Sequence, residues 1–140
     1  MDSVFFYGLF MDPQLLREHG LEPRVEGVAE LPGHALRIGE KAVLVATPES
    51  SAWGLVMRMT HSELERLYSG AGVEQYRPEP VTVVMAADGS TRECSCYNLP
   101  AEELGESVNV DYADKLAALA TRLSLPAEYV REIRANGGLE

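Results

Sequence analysis

Two tyrosine-bearing stretches hold the residues with the clearest chemical capacity. In "VFFYGLFMDPQLL" (Val4 to Leu16) the apolar run Val4-Phe5-Phe6 stops at Tyr7-Gly8 and passes through Leu9 and Phe10 to a helix start at Asp12-Pro13. A strand that hands over to a helix in this way leaves several backbone N–H groups without partners. Such groups are either plain structural punctuation or a cradle for a carboxylate or an oxyanion. Leu9 and Phe10, if exposed, would instead suggest an interface. The second stretch is "SGAGVEQYRPEP", with Glu74, Tyr76 and Arg77. A guanidinium can grip a carboxylate through two parallel hydrogen bonds, so Arg77 is a candidate ligand anchor; a surface ion pair with Glu74 or Glu79 serves it equally well. Tyr7 and Tyr76 have large apolar bodies and one polar tip, which suits a pocket wall or a core whose hydroxyls reach the surface.

Other reactive residues point to less. Cys94 and Cys96 form "CSC", which on a strand places both thiols on one face, too close along one chain for an unstrained disulfide. They read as two reduced thiols packed on a sheet. His19, His34 and His61 match no metal-ligand spacing, so neither a metal nor another cofactor is expected. Trp53 reads as core.

Composition sets the frame. The 140 residues suit one domain, 1–140, and 46% apolar with 24% charged residues is the profile of an ordinary globular protein. A net charge of −10 and the lack of a Lys/Arg cluster argue against nucleic acid as a partner. No apolar run approaches the length of a membrane span and no secretory leader is visible, so a cytoplasmic location is expected. An anionic small molecule would have to be held locally, since the long-range field repels it.

The elements that must position these residues can be read in order. Asp12 caps a short helix with Pro13 in its first turn and Gly20 at its end. The stretch Val25 to Glu49 reads as two or three strands, with turns at Pro32-Gly33, Gly39 and Pro48. Trp53, Leu55, Met57 and Met59 share one strand face, and Gly54, Val56 and Arg58 share the other. Thr60 followed by Glu63 is a capping box, opening a helix with Leu64, Leu67 and Tyr68 as its apolar stripe. Gly70, Gly72, Pro78 and Pro80 interrupt regular structure. Asp88-Gly89-Ser90 then joins two strands as a hairpin. Ala113, Leu116, Leu119, Ala120 and Leu123 line one helix face, and a last helix after Pro126 packs Val130 and Ile133 and ends at Asn136-Gly137-Gly138. About six strands with inserted and C-terminal helices predict an α+β fold, a small mixed β-barrel.

The order of these pieces resembles the gamma-glutamyl cyclotransferase-like superfamily, the avirulence-induced-gene-like proteins, over nearly the whole chain. The matching segments are "VFFYGLFM", "LPGHALRI", "AWGLVMRMTHSELERLY", the Tyr-Arg of "EQYRPEPVTV" and "LPAEYVREI". The resemblance implies a first loop of the type Tyr-Gly-Ser-x-Met that wraps the substrate, and a Glu beyond the Leu-rich helix that deprotonates the substrate's ammonium. The freed amine then attacks its own γ-carbonyl, giving 5-oxoproline. An ammonium must lose a proton before it is a nucleophile, and the oxyanion needs donors fixed in advance. Carried onto this chain, the loop is Tyr7-Gly8-Leu9-Phe10-Met11, with Leu9 in place of the serine. Tyr7, Gly8, Leu9, Phe10, Tyr76 and Arg77 are thus the expected substrate-binding residues. The Glu position falls on Ala71, which removes a general base worth typically 10²–10⁴-fold. Glu74, three residues on, is the candidate displaced base if its loop turns inward, and Glu93 is a second acid of unassigned face. Two functions follow: a cyclotransferase with a moved base, which could also remove a γ-glutamyl protecting group, or a non-catalytic protein that binds a small carboxylate-bearing amine.

Overall fold

The computed structural model of the chain describes residues 1–70, 73–100 and 107–139; Ala71 lies outside them. Five strands close into a barrel in the order β1-β3-β2-β4-β5. They are β1 Asp2–Phe6, β2 Arg24–Ile38, β3 Ala42–Met59, β4 Arg77–Met85 and β5 Thr91–Asn98. Among the described residues four α-helices complete the α+β architecture: α1 Pro13–Glu18, α2 His61–Leu67, α3 Val110–Arg122 and α4 Ala127–Asn136. Helices α1 and α2 are inserted between strands, and α3 and α4 follow β5 and pack against each other.

Neighbouring strands are antiparallel except β1 and β5, which meet in parallel at Val4 and Ser95. The barrel is therefore mixed, as the residue pattern predicts. β1 pairs with β3 from Asp2↔Met59 to Phe6↔Leu55, which puts the end of β1 beside Gly54. A Cβ at Gly54 would lie 2.1 Å from the Phe6 carbonyl oxygen, so only glycine fits. That close approach, together with Val56 at 0% exposure, is why both faces of this part of β3 are covered instead of one. Val4, Phe5 and Phe6 are all buried, as expected of a short continuous apolar run.

Three predicted breaks are corrected. Pro32-Gly33 does not end a strand: β2 runs through it with a register shift, Gly33 at φ +77°, and β3 accommodates extra residues between Ala46 and Ser51. Pro48 falls within that same irregularity, and the predicted turn there becomes part of one long strand. Likewise Pro78 and Pro80 sit inside β4, where they pair with Tyr97 and Ser95. Strand β2 reaches β4 only at Met85 and Val84, so the Pro-bearing half of β4 forms an edge, where a missing N–H is harmless.

Local signals appear where the sequence places them. Asp12 accepts from the Gln14 N–H, and the Thr60–Glu63 capping box is complete. Asp88 accepts from both the N–H and the hydroxyl of Ser90 in the β4–β5 hairpin. Cys94 and Cys96 are free and buried, and burial pushes both thiols up in pKa, away from reactive thiolate. Leu116, Ala113, Leu119 and Ala120 of α3 and Ile133 of α4 join the same core as the barrel interior. Trp53 packs against it, half-buried.

Candidate functional site

The end of β1 opens onto a cavity of about 260 Å³. Its walls come from five places in the chain. Phe5 to Phe10 supply one side, and Lys41 and Ala42, at the start of β3, supply another. Tyr68, Val73 and Tyr76 come from the chain that follows α2, and Tyr97 and Tyr112 complete the lining. Of the residues predicted from the sequence, Tyr7, Gly8, Leu9, Phe10 and Tyr76 come together here. Glu74 and Arg77 do not line the cavity, and both side chains are exposed. The Arg77 guanidinium donates instead to the backbone carbonyls of Glu74 and Tyr76. Glu93 is exposed on β5.

The loop itself is short and internally bonded. Residues Leu9–Met11 form one 3-10 turn, in which the Met11 N–H donates to Gly8 O at 3.0 Å and the Asp12 N–H to Leu9 O at 3.2 Å. Two of the N–H groups that the strand end releases are thus consumed locally. Backbone hydrogen bonding from Leu9 and Ala42 bears on the Tyr112 hydroxyl. It partly offsets burial, which dominates and holds the Tyr112 pKa up at about 12.

Glycine at position 8 has a steric reason. Its φ is −106°, an ordinary extended value, so no left-handed backbone is involved. A Cβ there would lie 2.8 Å from the Tyr112 hydroxyl, closer than side chains normally tolerate. Helix α3 therefore presses a tyrosine directly onto the loop backbone.

Tyrosine hydroxyls are organised around two acceptors. Tyr7 donates to Asn98 Oδ1 at 2.8 Å, and Asn98 in turn bonds both backbone groups of Leu44. Tyr76 donates to Ala42 O at 2.8 Å, and Tyr7 reaches the same carbonyl at 3.4 Å. Burial raises the pKa of Tyr7, Tyr68 and Tyr76, so all three stay neutral. The rings pack as a group: Tyr68 stacks on Tyr97 with centroids 4.0 Å apart and planes 6° off parallel, and Phe10 meets Tyr68 edge-on at 5.6 Å. Leu9 and Phe10 are accordingly half-buried cavity residues.

Sequence reasoning missed Lys41, Tyr68 as a wall, Tyr97 and Tyr112. A signal existed for Tyr112. Asn109 caps α3, its Oδ1 accepting from the Tyr112 N–H at 3.0 Å, and an Asn three residues before Tyr marks this start. The same Asn109 reaches the β2–β3 turn: its N–H donates to Gly39 O at 2.8 Å and its Nδ2 to Glu40 O at 3.3 Å. One residue thereby ties the Tyr112 and Lys41 sides of the cavity together. Among the described residues no His/Cys/Asp/Glu cluster has metal-binding geometry, and no helix is long and apolar enough to cross a membrane.

Comparison with known proteins places this geometry. The fold is similar to that of a solved protein named gamma-glutamyl cyclotransferase, at TM-score 0.76 and 22% identity, over 96% of this chain and 86% of that one. An uncharacterized protein from Homo sapiens gives TM-score 0.77 and 23% identity over the same shares. An AIG2-like protein from Mus musculus gives 0.58 and 16%, over 79% of this chain and 90% of its own. At these identities the likeness establishes the gamma-glutamyl cyclotransferase-like fold. A search of curated protein sequences finds no match. The AIG2-like family model matches residues 51–133, from the middle of β3 into α4, and since that is more than half of the sequence, the chain belongs to the AIG2-like family.

Proposed function

We propose that the cavity at the end of β1 binds a small carboxylate-bearing amine, of the γ-glutamyl type, and that the chain turns it over weakly or not at all. The observation that carries this reading is the lining: aromatic walls, a loop at a strand end, and no carboxylate among the described residues that face the cavity. Cyclisation of a γ-glutamyl amine needs a base within hydrogen-bond reach of the ammonium. The resemblance assigns that base to position 71, where this chain has alanine. The γ-glutamyl substrate class comes from the likeness in fold to the protein named gamma-glutamyl cyclotransferase.

A second reading is favoured by one detail. Glu74 lies in the chain between Val73 and Tyr76, both of which line the cavity, so a modest change in this segment brings its carboxylate to the rim. A base displaced in this way would restore the cyclotransferase reaction.

The test is 5-oxoproline release from a panel of γ-glutamyl amines, with calorimetric binding measured on the same panel. Binding without release is the expected result for the wild type. Ala71→Glu is expected to introduce measurable release, well short of the full 10²–10⁴-fold contribution of a general base, because a base misplaced by about 1 Å can lose 10²-fold. Robust wild-type release that disappears in Glu74→Gln would instead establish the displaced base. Release that survives that substitution would refute both accounts and direct attention to Glu93.

A further inference from the structure

Lys41 is the one charged side chain among the described residues that line the cavity. Its Nζ lies 6.0 Å from the centroid of the Tyr76 ring, so the ammonium is held on the cavity side of its turn. The backbone beneath it is fixed from both directions. The Gly39 N–H donates to Lys41 O at 2.8 Å, while Asn109 at the start of α3 holds Gly39 O and Glu40 O. The rest of the lining is Phe, Tyr and small apolar residues, along which a lysine stem can lie while its charge reaches the opening. The chain as a whole carries a net charge of −10, so its long-range field repels anions and a local cation must do the selecting.

We propose that Lys41 sets the charge preference of the cavity: its ammonium takes the carboxylate of an anionic ligand whose apolar or aromatic body lies against the Tyr68, Tyr76 and Phe10 walls. This rests on the cavity being the binding site described above. It goes further by naming the residue that selects the ligand and the class selected, carboxylates over their neutral counterparts. Tyr112 lines the same cavity and brings an uncharged hydroxyl to it.

The test uses two probes that differ only in charge, glutaric acid monoanilide and its methyl ester, titrated by calorimetry into wild type, Lys41→Met and Lys41→Arg. Ring-proton shifts of Tyr76 and Tyr112 report that each probe sits in the cavity, and circular dichroism verifies that each variant is folded. A charge-assisted hydrogen bond predicts that wild type binds the acid about 10- to 100-fold more tightly than the ester. The ratio should fall close to one in Lys41→Met and recover in Lys41→Arg, which keeps the charge. Equal binding of acid and ester by wild type, or a ratio unchanged in Lys41→Met, overturns the assignment to Lys41 and leaves the cavity as a binding site. If neither probe binds or shifts the tyrosine rings, the assignment and the binding reading fall together.

Discussion

At position 8 a glycine is required by a neighbour and not by its own backbone angles. The sequence shows that a glycine follows an apolar run, and a turn or a close approach to a ligand are the natural reasons. The structure gives a third, the Tyr112 hydroxyl 2.8 Å from where a Cβ would stand. Gly8→Ala should therefore cost about 1–3 kcal/mol, the usual range for overpacking a fitted contact. Tyr112→Phe in the same chain removes the oxygen that collides. The double variant should recover part of the loss in a thermal melt, a coupling that a double-mutant cycle measures directly. Additive losses would mean that the clash is relieved elsewhere. The reason was out of reach from the sequence because Tyr112 arrives from a helix roughly a hundred residues downstream.

Among the elements, those whose signals are local were legible and those decided by a partner were not. Asp12, Thr60 with Glu63, and Asp88-Gly89 each satisfy backbone groups within a few residues, so sequence order is enough to find them. Pro32-Gly33, Pro48, Pro78 and Pro80 were misread as breaks, because whether a proline is tolerated depends on which strand lies alongside. For the candidate site, Tyr7 to Phe10 and Tyr76 were found from an abrupt strand end and a tyrosine beside an arginine. Lys41 and Tyr97 carried no such mark. The α2 capping box offers a prediction. Glu63 accepts from the Thr60 N–H at 2.9 Å and from the Glu22 N–H at 2.8 Å, and these bonds, in that order, hold its pKa below the ordinary glutamate value. A depressed folded-state pKa gives stability that is present in full above the unfolded value and is lost as pH falls through the folded one. Glu63→Gln should lower the melting temperature slightly at neutral pH and flatten its decline on acidification. An acid limb as steep as that of wild type would count against the role given to Glu63. Asn109→Ala removes a cap and a turn clamp together, so it should cost about 1–2 kcal/mol and weaken ligand binding as well. Loss of stability with binding unchanged would show that the clamp does not shape the cavity.

For the molecule as a whole, the decisive contacts join distant parts of the chain. The barrel is sealed by the parallel meeting of Val4 with Ser95, and on the opposite side by two pairs, Ala29↔Met85 and Glu30↔Val84. The long antiparallel ladder of β2 with β3 and the β4–β5 hairpin need no such reach, because each joins strands adjacent in sequence. These differences order events in time. Closing a large loop costs entropy before its contacts repay it, so hairpins form early and the seam between β1 and β5 forms late. Substitutions in β1 such as Val4→Ala should then speed unfolding while barely slowing folding, whereas substitutions in the β2–β3 ladder should slow folding. Stopped-flow chevrons for the two sets separate these outcomes, and equal effects on folding rate would sink the ordering. Because Tyr7 to Phe10 follow β1 directly, this side of the cavity takes its place only when that last strand does. During refolding, ligand competence should therefore trail the recovery of far-ultraviolet signal, and this lag would itself be a clock for barrel closure.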